Sequence, residues 1–323
     1  MAELKNTPLR EFHLEMGAKM VPRSGWNLPL NFSEGAADEH ECCRSKAALF
    51  DFCADGRFRV AFKGAAEALG KLFSERNARR TPGSCRRELF VDSQGIAAAF
   101  CRVSVMGEDD FFITVPFQSV PRVQKLFEES EIEYGDLSEY LCGIGISGPE
   151  SAEVLALCGV NKDELPRPGE TKVIEIDQLR AIVSFTDDFG EEGFEISFNA
   201  ECADQIWDLF LETDIPWPAG LAAQESLRLE HSLPGAPELL APKTASEIST
   251  SLKRVLFQGR RAPYAGVKVC NAAGDVLGCV TSGTYCPTLE QSAALVFFSG
   301  ALPGAETELF CDASGVTVTG FIG

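Results

Sequence analysis

A chain of 323 residues, 24% charged and 45% apolar, has the make-up of an ordinary globular protein with room for about two or three domains. No stretch approaches the ~18 uninterrupted apolar residues of a spanning helix. The net charge of −19 repels nucleic-acid phosphates and anionic lipid surfaces, so neither nucleic acid nor membrane is expected as a partner.

The Met1–Asn6 run lacks the basic-then-apolar layout of a signal peptide, so a cytoplasmic location is expected. Twelve cysteines lie between Cys42 and Cys311 without a single C-x-x-C, and three histidines are too few to complete paired metal-ligand sets. The cysteines therefore read as buried thiols serving as small apolar residues, and no metal is expected.

Along the chain, Phe58–Phe62 alternates as a strand, and Ala65–Arg76 places Ala65, Leu69, Leu72 and Phe73 on one helical face. Pro82-Gly83 breaks that helix, and strands follow at Glu88–Val91, Ala97–Val105 and Phe111–Val115. A helix starts near Pro121, and a last strand is expected near Ile132. This is the order of a split β-α-β, ferredoxin-like unit.

A similar order recurs: a strand through Ile144 and Ile146, a helix at Glu150–Cys158, strands at Lys172–Ile176, Arg180–Phe185 and Phe194–Phe198, and a helix at Ala200–Glu212. Two related α+β units are therefore expected. Ser232–Ser251, rich in Pro, Ala, Ser and Thr, reads as a connector, and the short strands beyond Ala262 read as a small all-β domain.

Gly143-Ile-Gly-Ile-Ser-Gly148 matches G-x-G-x-x-G, with Asp177 as a nominal ribose-binding acid. Its glycines alternate with Ile144 and Ile146, which puts them inside a strand and not in a phosphate-binding turn, so the dinucleotide reading is rejected. His13 and His231 stand alone, and His40 lies in the charged run Asp38–Glu41, read as a solvated helix face. No nucleophilic triad is indicated.

Arg79-Arg80 and Arg86-Arg87 form the densest basic cluster, able to receive a carboxylate; a solvated loop is the plainer alternative. Phe194, Ile196 and Phe198 face one way, so Glu195 points to the other face of its strand.

Several stretches occur in a telling order: Thr7-Pro-Leu-Arg-Glu-Phe-His, Gly25-Trp-Asn-Leu-Pro-Leu, Ala48-Leu-Phe-Asp51, Gly190-Glu-Glu-Gly-Phe-Glu-Ile-Ser197, Ala219–Glu230 and Val280–Leu289. This series resembles the aminomethyltransferase (T-protein) family of the glycine cleavage system, nearly end to end. The resemblance implies an α+β fold of three domains in a ring, two ferredoxin-like units and a C-terminal small β-barrel. The expected division is 1–55 with 140–231, then 56–139, a connector at 232–261 and a barrel at 262–323.

It also implies transfer of an aminomethyl or methyl group to tetrahydrofolate, with a lipoyl carrier protein as donor partner. By resemblance, Glu195 binds the amino-pyrimidinone edge of the pterin and Arg228 lies at the folate site. A carboxylate suits that edge because it accepts two parallel N–H bonds.

Departures from the family pattern are equally specific. Its Asp-Asp pair after a Gly-Gly turn becomes Ala99-Phe100, or Ala98-Ala99 with one deletion, so the carboxylate that assists proton movement is replaced by alanine. Its Ser-His-Met becomes Cys53-Ala-Asp55, its Tyr-Thr becomes Arg87-Glu88, and its Arg-Thr-Gly-Tyr-Thr-Gly-Glu becomes Phe185–Glu191. The net charge opposes encounter with an acidic carrier unless the Arg79–Arg87 cluster compensates. The alternative expectation is a catalytically degenerate folate-binding or scaffold protein of the same fold.

Overall fold

The computed structural model describes residues 3–76, 78 and 80–323. Two compact units partition the chain, Met1–Ala223 and Gln224–Gly323.

The first unit holds the two related α+β sheets. A five-stranded sheet runs in the order Cys85–Val91, Ala97–Gly107, Asp110–Val115, Gly56–Ala61, Gly135–Asp136, antiparallel throughout. A six-stranded sheet runs Thr171–Ile176, Leu179–Thr186, Gly193–Asn199, Leu141–Ser147, Ala47–Asp51, Pro216–Ala219.

In chain order each unit is strand, helix, three strands, helix, strand. The spatial orders coincide once Ala47–Asp51 is recognised as an insertion between the first and last strands of the second copy. The recurrence read from the sequence is thus a repeat of topology. Three strands stand between the helices, not two, and the first copy has no parallel central pair, so both copies depart in detail from a strict split β-α-β.

The copies meet reciprocally. The Cys85 N–H donates to Gly169 O at 2.7 Å and the Thr171 N–H to Gly83 O at 2.8 Å, while Ser104 and Ser184, on corresponding strands, touch through their hydroxyls at 3.1 Å.

The helices form where their caps and apolar stripes dictate. Val120–Glu129 carries Pro121 in its first turn and buries Val123, Leu126 and Phe127. Ala65–Gly70 is shorter than the apolar stripe suggests; it starts where Asp109 accepts the N–H groups of Gly64 and Ala66. Ala203–Leu211 buries Ile206, Trp207 and Phe210 against Ile144, Ile146, Phe194 and Ile196 of the six-stranded sheet.

The second unit contains a closed six-stranded barrel built from Leu252–Phe257, Gln291–Phe298, Val276–Cys286, Lys268–Cys270, Leu309–Asp312 and Thr317–Ile322. Leu252–Phe257 lies within the stretch read as connector, so the barrel begins ten residues before the expected 262. The helix before it, Ala245–Ser251, opens on a capping box between Thr244 and Glu247.

Two readings are corrected. The Asp38–Glu41 run is not a solvated face: Glu39 and His40 are buried, and the Glu39 carboxylate accepts the Phe32 and Gly220 N–H groups. His13 does not stand alone. Its Nε2 lies 2.8 Å from the buried Asp51 carboxylate, which also accepts the Thr7 hydroxyl and the Cys53 N–H. Burial works against the Asp51 charge, but those bonds outweigh it and hold its pKa below the ordinary value.

Nine of the twelve cysteines are buried, as their scattered spacing suggested; Cys202 and Cys270 are half-buried and Cys279 is exposed. No helix among the described residues is long and apolar enough to cross a membrane.

Candidate functional site: an arginine row facing Glu195

In the five-stranded sheet, Arg87 pairs with Arg102, Arg102 with Thr114, and Thr114 with Arg57, so three guanidinium-bearing residues share one row on one face. In the six-stranded sheet, Glu195 and Ser197 alternate with the core residues Phe194, Ile196 and Phe198 and take the opposite face, as the sequence pattern implied. Arg57 Nε donates to Ser197 Oγ at 3.3 Å and Arg102 Nε donates to Glu195 Oε2 at 2.9 Å. The sheets therefore meet along a polar seam, extended by Ser104, Ser184 and Thr171.

Gly143 and Gly145 stand beside Ser197 and Glu195 in register, inside the Leu141–Ser147 strand as the alternation required. A Cβ on Gly143 would lie 1.9 Å from Arg57 Nη2, and one on Gly145 would lie 2.4 Å from the Phe52 ring. Gly143 makes room for Arg57 as it crosses the seam, and Gly145 makes room for the Phe52 ring. Asp177 and Gln178 form the positive-φ turn of a hairpin, and Asp177 accepts Gln205 Nε2 at 3.0 Å.

Arg102 is the centre of the seam. Its Nη2 donates to Asp188 Oδ2 at 2.6 Å and Thr186 Oγ1 at 2.8 Å, and its Nη1 donates to the Phe185 carbonyl at 3.4 Å. Burial would lower its pKa, but Asp188 and Glu195 outweigh burial and hold the guanidinium protonated above its ordinary value. Glu195, with 12% of its side chain exposed, keeps its second oxygen, Oε1, without a hydrogen bond from the described residues.

A second carboxylate, Asp55, stands immediately before the strand carrying Arg57. Asp55 is half-buried, its Oδ1 accepts the Phe117 N–H at 2.9 Å, and its own carbonyl accepts Arg57 Nη1 at 2.8 Å. Burial pushes its carboxyl up to about 7; Arg57 and the Phe117 N–H oppose that rise, and Glu195 and Asp51 add to it. Ala98 and Ala99, in contrast, are packed into the core of the five-stranded sheet, with Ala98 the extra residue of a β-bulge between Val91 and Phe90.

Arg228 belongs to the second unit, where it is an internal brace. Its Nε and Nη2 grip both oxygens of Glu225 at 2.6 and 2.7 Å, and Nη1 donates to the Leu233 carbonyl at 2.9 Å and to Glu238 at 3.2 Å. Glu238 is buried and in turn accepts the hydroxyls of Thr281 and Ser282 on a barrel strand. Burial would lower the Arg228 pKa, but Glu238 and Glu225 raise it above the ordinary value.

Of the basic cluster, Arg80 pairs with buried Glu88 and lies over Phe73, Arg86 pairs with Glu75, and Arg87 stacks on Phe100 with 4.3 Å to the ring centroid. Arg79 lies outside the described residues. Two of these arginines, Arg80 and Arg86, are thus ion-paired with acidic neighbours.

Sequence reading missed Asp55, Arg57, Arg102 and Asp188 as a set. The available signal was a full charge at Arg57 and Arg102 inside strands that otherwise alternate as core.

Comparison with known proteins bears directly on this arrangement. The family described as "GCVT N-terminal domain" matches residues 9–245. Aminomethyltransferases of Geobacillus kaustophilus (strain HTA426) and Deinococcus deserti are 29% and 28% identical to this chain, over 95% of it in both cases and over 94% and 92% of the respective relatives. The crystal structure of glycine cleavage system aminomethyltransferase T from Bartonella henselae superposes with a TM-score of 0.85 at 23% identity, covering 99% of this chain and 97% of that one, so the fold is shared. The order of motifs, the doubled α+β topology and the terminal barrel all accord with these matches, and the chain belongs to the aminomethyltransferase family of glycine cleavage T-proteins.

Proposed function

We propose that this chain transfers a one-carbon unit, aminomethyl or methyl, to tetrahydrofolate, with Glu195 as the pterin anchor. The observation that carries this reading is the state of Glu195: ion-paired through Oε2 to Arg102, partly exposed, and with Oε1 unengaged by the described residues. Such a group fits the donor-rich edge of an amino-pyrimidinone. Tetrahydrofolate would supply the nucleophilic nitrogen; the chain's own task is to hold the pterin edge at Glu195, with that carboxylate fixed in place by Arg102. Arg228 is proposed to serve the folate site by fixing the Glu225–Glu238 segment. A lipoyl-bearing carrier protein is the proposed donor partner, and a cytoplasmic setting belongs to the same reading.

Anaerobic calorimetric titration with tetrahydrofolate tests it. Micromolar affinity, about −8 kcal/mol, is expected for the wild type. Glu195→Gln keeps the shape but removes the charge and should weaken binding by roughly 10- to 100-fold, the worth of a charge-assisted hydrogen bond. A wild type that gives no binding heat would sink the proposal.

One observation favours a second reading, a degenerate folate-binding or scaffold protein. The two positions aligned with the family's aspartate pair in the gapped alignment are alanines sealed in a core, where no carboxylate can act. Single-turnover assays with folate-saturated protein and aminomethyl or methyl donors separate the two: saturable binding without product supports the second.

A further inference from the structure

We propose that Asp55 is the proton-exchanging residue of this site, donating and accepting a proton at Oδ2 toward the bound folate or its one-carbon donor. The inference rests on the folate reading above and assigns within it a role that the alanines at 98 and 99 cannot fill. Several observations place Asp55 in that role.

Asp55 immediately precedes the strand Gly56–Ala61, and Arg57 on that strand shares a row with Thr114 and Arg102, the residue that grips Glu195. Asp55 therefore sits at the same seam as the proposed anchor. Its orientation is fixed through one oxygen only: the Phe117 N–H holds Oδ1, and the described residues offer Oδ2 no partner. The carbonyl of the same residue is clamped by Arg57, whose guanidinium is itself fully buried and tied to Phe52 and Ser197. A carboxyl group held by one oxygen, on a residue that is only half-buried, meets the positional requirement of a general acid–base residue.

The electrostatic surroundings keep both protonation states accessible. The groups acting on Asp55 are Arg57 from the strand that follows it, and Asp51 and Glu195 from the six-stranded sheet. Cys101 lies on the other side, itself under the influence of Arg87. The two acids and burial oppose ionisation while Arg57 and the Phe117 amide favour it, and the balance falls at about 7. In the donating direction the Oδ2–H bond breaks, its electron pair stays on oxygen, and the acceptor's lone pair forms the new bond to hydrogen; the return step is the reverse.

The test reads protons, not turnover. Tetrahydrofolate is titrated calorimetrically into wild type and Asp55→Asn in two buffers of different ionisation enthalpy, from about pH 6 to pH 8.5. In the wild type, a fractional proton uptake or release is expected on binding, with a midpoint near neutrality. In Asp55→Asn, affinity at pH 7 should stay within about threefold while that linkage disappears. Asparagine retains the oxygen that accepts the Phe117 N–H, so the variant is expected to fold.

Its melting point supplies a check that needs no ligand. A carboxyl raised in the folded state from 3.8 to about 7 contributes its stability at low pH and loses it as pH rises through neutrality, so Asp55→Asn should gain on the wild type above pH 7 and not below pH 4. Binding with unchanged proton linkage in the variant, or a flat linkage profile in the wild type, overturns the Asp55 role alone. No binding by the wild type at any pH overturns the folate reading and this inference with it.

Discussion

Gly143→Ala is expected to destabilise the first unit by about 3 kcal/mol or more, an unusual cost for one methyl group. The added carbon would stand 1.9 Å from Arg57 Nη2 and 3.0 Å from its Cζ, and Arg57 has nowhere to go. The guanidinium is fully buried and donates to Ser197 Oγ, the Phe52 carbonyl and the Asp55 carbonyl. Moving it breaks charge-assisted hydrogen bonds worth about 1.5–3 kcal/mol each.

Chemical denaturation measures the loss directly, and a double-mutant cycle identifies its cause. In an Arg57→Ala background the same glycine replacement should cost under about 1 kcal/mol, because the space it needs has been vacated. If Gly143→Ala melts with the wild type, the seam is looser than these distances require.

Arg102→Leu is the second large effect, on both stability and binding. Leucine fills most of the stem's volume but leaves Glu195 and Asp188 without their shared counter-charge. Breaking one side of a buried ion pair costs about 3–5 kcal/mol; the partial exposure of Asp188 brings the expectation below that, to about 2–3 kcal/mol.

The consequence for binding follows from charge. Without Arg102, the Glu195 carboxylate loses the ion pair that holds Oε2 and aims Oε1, so its grip on a donor-rich ligand edge weakens. Tetrahydrofolate affinity should drop about tenfold at pH 7. Tighter binding in Arg102→Leu would instead mean that the guanidinium caps the anchor, which favours the degenerate reading.

The order of elements was legible because each obeys a short-range rule: alternation for the strands, a 3.6-residue stripe for the helices, Pro and Gly at their breaks. Alternation also put Glu195 on the face away from the core, where it stands. What Glu195 touches was not legible, since Arg102 is 93 residues earlier and on another sheet.

The same limit explains the charged run at Asp38–Glu41. Its composition signals water, but the amides of Phe32 and Gly220 take up Glu39 inside the fold. Leu252–Phe257 was hidden for a local reason: Lys253 and Arg254 occupy adjacent positions and interrupt its alternation, although both are only half-buried in the barrel strand. Gly143 and Gly145 illustrate both sides. Their place in a strand was evident from Ile144 and Ile146, but the reason for having no side chain there is distant in sequence: Arg57 of the facing sheet at Gly143 and the Phe52 ring at Gly145.

The distribution of thiols gives the molecule a set of internal clocks. Cys279 is open to solvent and will react with an alkylating reagent within the mixing time of the native protein, whereas Cys53, Cys142 and Cys158 are sealed in one core, Cys101 in a second and Cys311 in the third. Each sealed thiol can be modified only when its own surroundings open, so its labelling rate reports the opening free energy of that region without any introduced probe. Timed alkylation read by peptide mass would rank the three cores by how often they breathe. It would also reveal whether the seam arginines make the two sheets of the first unit open as one cooperative body, with Cys101 and Cys142 labelled in step, or as two.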